Sequence, residues 1–213
     1  MIHPILKYLS SYIILLGSRY WRLSYLLGSG KTYLSGATIA LPLLFEQSII
    51  SGCIIWIINT FIHLSMSPHP LLSLLVYHLP GLAAAAYWSV NSRLLKLFVA
   101  LACMILFVVH PIGVQVSWYA LFWLIPIAAT FVKNSYIARA IGTTWTAHAV
   151  GTVGWLYMHS TTPSFWAGLV PIVIAERVLY AALLYSTWYI AQVDWKLVIT
   201  QWRIHSGVRV LSR

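Results

Sequence analysis

Acid is what this sequence lacks most. Only Glu46, Glu176 and Asp194 carry carboxylates in 213 residues, and charged residues of both signs make up 8% of the chain, against about 25% in a soluble domain. Cysteine is nearly as scarce. Cys53 and Cys103 both fall inside apolar runs, with no CxxC or other metal-ligand spacing, and read as small packing residues. HExxH, GxSxG and EF-hand patterns are missing, which removes the common motif-borne hydrolase and metal-site readings. Gly28-Ser-Gly-Lys31-Thr32 has the end of a phosphate loop, but no leading glycine at the required spacing and no preceding strand, so no nucleotide site is expected. No cofactor is expected either.

What is there is apolar surface. Hydrophobic residues make up 61% of the chain, more than a soluble fold of this length can hide, so lipid is the expected solvent for the excess. The net charge of +10 does not point to nucleic acid, because the cations lie between apolar runs rather than in one patch. Near the start, Lys7 precedes an apolar stretch over 8–16, but Gly17-Ser18-Arg19 is a poor cleavage site, so this segment is expected to be retained.

A spanning helix needs about 20 apolar residues. The apolar runs predict an all-α bundle of six spans at 36–62, 70–90, 94–110, 116–132, 137–157 and 164–191. Pro42 and Pro80-Gly81 should kink the first two. Twelve of the thirteen Lys and Arg fall in alternate connections: Lys7, Arg19, Arg22 and Lys31 before the first span, Arg93 and Lys96 after the second, Lys133 and Arg139 after the fourth, and Lys196, Arg203, Arg209 and Arg213 in the tail. The other connections hold none. This alternation predicts both termini in the cytoplasm and a multi-pass protein of the cell's inner (plasma) membrane. Three segments follow: 1–35 with a helical apolar spacing over 2–27 that suits an interfacial amphipathic helix, 36–192 as the transmembrane domain, and 193–213 as a basic cytoplasmic tail.

Ionisable groups inside a membrane are costly and usually face a partner or a cavity. Here they are Glu46, His78, His148, Glu176 and Arg177. At 1.5 Å per residue, Glu46, His148 and Glu176 lie roughly 15–18 Å into their spans, near the middle of a hydrocarbon core of about 30 Å. Three helices are thus expected to bring polar groups to one level, as a ligand or proton site, or else as interhelical locks such as Arg177 with Glu46 or Glu176 with His148. Gly151, Thr152 and Gly154 leave space beside His148, for a pocket or for tight helix packing. Trp118, Tyr119, Trp123, Trp155, Tyr157 and Trp166 gather near the outer side, as an interfacial belt or, for Trp118, Tyr119 and Trp155, as stacking faces of an outward pocket.

The six-span plan at this length, with both termini inside, resembles the substrate-binding S components of energy-coupling factor transporters, and related six-helix prokaryotic membrane proteins. The likeness rests on the small residues of Gly36-Ala-Thr-Ile-Ala40, on the segment from Arg139 through His148 to Gly151, on Trp155-Leu-Tyr157, and on Ala175-Glu-Arg-Val178. It covers 36–192 as topology. The resemblance implies a small vitamin-like ligand bound from outside, with ATP-driven release through a coupling membrane subunit and ABC-type ATPases. It implies polar contacts from Glu46, His148, Glu176 and Arg177, stacking from Trp118, Tyr119 and Trp155, and docking of the coupling subunit on Gly36 and Ala40.

Three other classes fit the same residues. An intramembrane enzyme would use His148 as base with Glu46 or Glu176 as its partner. A haem-bearing electron carrier would need His78 and His148 at one level. An accessory subunit would use the midplane charges only to hold helices together.

Overall fold

The computed structural model describes residues 37–192. The segment 1–35, where an amphipathic helix was expected, Gly36 and the 193–213 tail lie outside the described residues. Among the described residues seven helices follow in order: α1 Ala37–Gln47, α2 Ile49–Ser65, α3 Pro70–Ser89, α4 Arg93–Val109, α5 Val114–Phe131, α6 Tyr136–Met158 and α7 Pro163–Gln192. No strand occurs among the described residues. Of these helices α3, α5 and α7 are long and apolar enough to cross a membrane, which marks a membrane protein. At 30 residues, α7 reaches about 45 Å, longer than the hydrocarbon core and therefore tilted or protruding.

The first expected span, 36–62, is divided. Ser48 is extended (φ −162°, ψ 118°) and its side chain accepts the backbone N–H of Ser51, capping α2. Serine is a strong N-cap because its hydroxyl satisfies one of the orphan amides of the first turn. The same device starts α4 at Ser92 and α6 at Ser135. Beyond the break, the Phe45 ring lies against the bare Cα of Gly52, where a Cβ would meet it. The expected depth of Glu46 took residue 36 as the start of a spanning helix, but Glu46 belongs to the short α1, ahead of the break.

One interior proline in each of α3 and α5 reshapes its helix. Pro80 has no N–H and its ring clashes with the preceding turn. The chain answers with a π turn over Leu74–His78, and the carbonyl of His78 accepts the indole N–H of Trp56 at 3.2 Å. In α5, Pro126 is preceded by a 3₁₀ stretch, Val114–Trp123, with Val116 outside helical geometry.

α6 is the centre of the bundle, packed on α3, α4, α5 and α7. Its middle is almost continuously buried from Gly142 to Ala149. A central helix touches protein all round, so it needs small residues for close approach more than apolar bulk. Gly142 and Gly154 do this against α3. A Cβ at Gly142 would strike the Tyr87 hydroxyl, and one at Gly154 would sit 2.9 Å from the carbonyl oxygen of Leu75. Gly151 meets Pro80 in the same way. The space expected beside His148 is therefore taken up, at Gly151 and Gly154, by α3. On the outer helices the apolar residues face outward: Ile50, Ile54, Ile57 and Phe61 form one exposed stripe of α2, and Leu94, Phe98, Leu101 and Ile105 another on α4. Such stripes suit lipid contact.

Candidate functional site

The polar groups of the bundle centre come from three helices. Helical geometry places Glu176 and Arg177 side by side on α7, with Tyr180 one turn on. On α6, Thr144, His148 and Thr152 recur at four-residue spacing and share one face. From α5 comes Tyr119.

Arg177 is fully buried and Glu176 is 2% exposed. Nη2 of Arg177 donates to Glu176 Oε2 at 3.4 Å, the only ion pair among the described residues. Neighbours on a helix point about 100° apart, yet the long arginine stem reaches back. Neither of the expected interhelical locks forms. Instead Arg177 Nη1 donates to the backbone carbonyl of Thr144 at 3.2 Å, and its guanidinium lies 5.2 Å from the Tyr180 ring centroid. Arg177 Nε has no partner among the described residues, and neither do the buried hydroxyls of Thr143 and Thr146.

His148, also buried, shares a hydrogen bond with the Tyr119 hydroxyl through Nε2 at 3.1 Å, and Thr152 Oγ1 lies 3.3 Å from the same nitrogen. Trp145 meets the imidazole edge-on at 5.8 Å. Thr144, whose carbonyl accepts Nη1 of Arg177, precedes His148 by one turn of α6. The two groups are thus one cluster: a guanidinium, a carboxylate, an imidazole and a phenol in a buried setting. Around Tyr119 stands an aromatic wall, with Phe107 stacked at 5.7 Å and Trp166 at 5.3 Å.

The remaining expected residues part company. Trp118 touches Tyr119 edge-on at 5.8 Å but is 44% exposed. The ring of Trp155 lies on His159 at 3.9 Å. Ala40 belongs to α1. Glu46 is exposed and lies elsewhere. Its two oxygens accept the indole N–H groups of Trp88 at 2.9 Å and Trp188 at 3.3 Å, at the end of the bundle where α3 and α7 finish. His78 and His148 are not brought together either. The imidazole of His78 bonds Thr60 at 3.0 Å and His63 at 2.9 Å.

Thr144, Thr152 and Tyr180 were not among the expected site residues. Their signal was present in the sequence as four-residue spacing from His148 and Glu176. Comparison with protein-family models, curated proteins and solved structures finds no match to this chain.

Proposed function

We propose that this chain is a six-span protein of the plasma membrane that captures a small anionic organic molecule inside its bundle and hands it to an ATP-driven uptake machinery. Helices α2 to α7 would be the spans. At 11 residues, α1 is about 16 Å long, too short to cross. The alternation of Lys and Arg along the chain supports both termini lying inside.

The observation that carries the reading is the state of Arg177: a fully buried guanidinium with one long carboxylate contact, one backbone acceptor and an Nε without a partner among the described residues. A buried charge is costly unless paired and hydrogen-bonded. The missing partner fits a carboxylate or phosphate, which a guanidinium binds through a planar fork. Tyr119, His148 and Glu176 would supply the further polar contacts, and the aromatic wall about Tyr119 the apolar ones. The chain's resemblance to energy-coupling factor S components supports uptake as the purpose, with a coupling membrane subunit and ABC-type ATPases as partners.

The test is mass spectrometry of what co-purifies with a tagged copy extracted gently from its native host. Two ATPases, a coupling subunit and a small anion that disappears in Arg177→Gln are the expected finding. An unchanged set of small molecules in that variant would sink the site. A second reading, a purely structural cluster, is favoured by the hydrogen bond from Arg177 to the backbone of Thr144, which ties α7 to α6. It predicts that exchanging Glu176 and Arg177 together for neutral residues leaves every co-purifying molecule in place.

A further inference from the structure

The end of the bundle where α3 and α7 finish and α6 begins carries a second polar grouping. Trp88, Tyr136 and Trp188 gather there. Tyr136 and Trp188 stack at 3.7 Å, and Trp88 lies 6.4 Å from Trp188. Glu46 receives an indole N–H from each tryptophan. On the same platform, the Arg139 guanidinium lies 4.9 Å from the Tyr136 centroid and 5.7 Å from that of Trp88. Glu46 and Arg139 share the Trp88 ring, yet they form no ion pair. Lys96 sits 4.6 Å over the ring of Tyr87, the residue before Trp88. An anion without a cation partner among the described residues and two cations set over the consecutive rings of Tyr87 and Trp88 therefore share this end of the bundle, and two cations repel unless an anion lies between them.

We propose that this grouping is a docking site for the headgroup of an aminophospholipid. The ammonium sits against Glu46, and the phosphate bridges Arg139 and Lys96. Each Glu46 oxygen accepts one indole N–H and keeps a lone pair for an ammonium, which has three donors. The surrounding ring faces attract cations. The phosphate finds a guanidinium fork and a point charge. A lipid rather than a soluble zwitterion fits because exposed apolar side chains lie next to the platform residues in sequence: Ile49 three residues after Glu46, Ile137 after Tyr136 and Tyr189 after Trp188. Acyl chains would lie along these, and Trp and Tyr are the residues of the headgroup level. Lipid headgroups bound by basic side chains at the cytoplasmic side are known chemistry; the added element is the carboxylate that selects an amine. The inference rests on the membrane reading and is independent of the solute site at Arg177.

The experiment reconstitutes the full chain in bilayers of equal parts phosphatidylethanolamine and phosphatidylglycerol, extracts it in mild detergent, and weighs retained lipid by native mass spectrometry. Phosphatidylethanolamine should be retained over phosphatidylglycerol by about tenfold, the effect of one charged hydrogen-bonding partner. Glu46→Gln should abolish the preference while phospholipid is still retained. Lys96→Gln, on a half-exposed side chain, should lower retention of both lipids. Equal retention of the two lipids by the wild type, or an unchanged preference in Glu46→Gln, overturns the proposal. Should Glu46→Gln fail to fold, unchanged retention in Lys96→Gln overturns it instead, because the clamp would then be purely intramolecular.

Discussion

Arg177 of α7 and Thr144 of α6 are joined in both directions: Nη1 of the arginine donates to the threonine carbonyl at 3.2 Å, and the threonine hydroxyl lies 3.5 Å from the arginine carbonyl. The charge of α7 is thus met in part by the backbone of the central helix. Only one carboxylate helps, and it belongs to the adjacent residue.

Removing one member of that pair should be far worse than removing both. Arg177→Met leaves the Glu176 carboxylate buried and alone, at a cost of about 3–5 kcal/mol. Adding Glu176→Gln to it should recover most of the loss. Unfolding of the two single variants and the double variant in detergent measures the difference, and additive losses would contradict the pairing.

Close packing of α6 on α3 is tested by glycine. Gly142→Ala forces the new Cβ into the Tyr87 hydroxyl, which itself donates to the carbonyl of Pro126 at 2.8 Å. Gly154→Ala meets backbone, which cannot swing aside. Each should destabilise by about 1–3 kcal/mol. At Gly168 no atom lies within 4 Å of the place a Cβ would take, so Gly168→Ala should be neutral or stabilising by up to about 1 kcal/mol through helix propensity. Thermal unfolding of the three variants side by side gives the ranking.

Tyr119 and His148 form a buried hydrogen bond between α5 and α6. Tyr119→Phe and His148→Phe should each cost stability, with a coupling energy of about 1 kcal/mol in a double-mutant cycle. A coupling near zero would mean that Thr152 alone satisfies the imidazole.

Three helices begin on serine caps. Ser135→Ala should cost about 1 kcal/mol and Ser135→Asp almost nothing, because aspartate also accepts the amide of Ala138. Ser48→Ala should cost a similar amount and also loosen the division between α1 and α2, visible as faster hydrogen exchange at Ser51 and Gly52.

Much of the helical plan was legible because lipid makes it so. The helices Arg93–Val109 and Pro163–Gln192 stand on the apolar runs 94–110 and 164–191, since a chain without water must satisfy its backbone locally. The division at Ser48 was not legible. Pro42 drew attention to the wrong place in that run: proline keeps its place inside α1, while an ordinary serine ends the helix. Glu46 was misplaced for a different reason: its depth was counted from residue 36 as the start of a span, whereas it sits near the end of the short, unbroken α1 and bonds Trp88 and Trp188 where α3 and α7 finish.

The candidate site divides along similar lines. The sequence by itself determined that Glu176, Arg177 and His148 are ionisable groups in apolar surroundings, because composition and spacing along one helix are local properties. Only the tertiary structure decided that Tyr119 completes their cluster, that Gly151 and Gly154 serve α3, and that Glu46 belongs with Trp88 and Trp188. Those outcomes depend on how far each helix is turned about its axis against its neighbours, and that rotation follows from the sum of many side-chain contacts between segments distant in the chain.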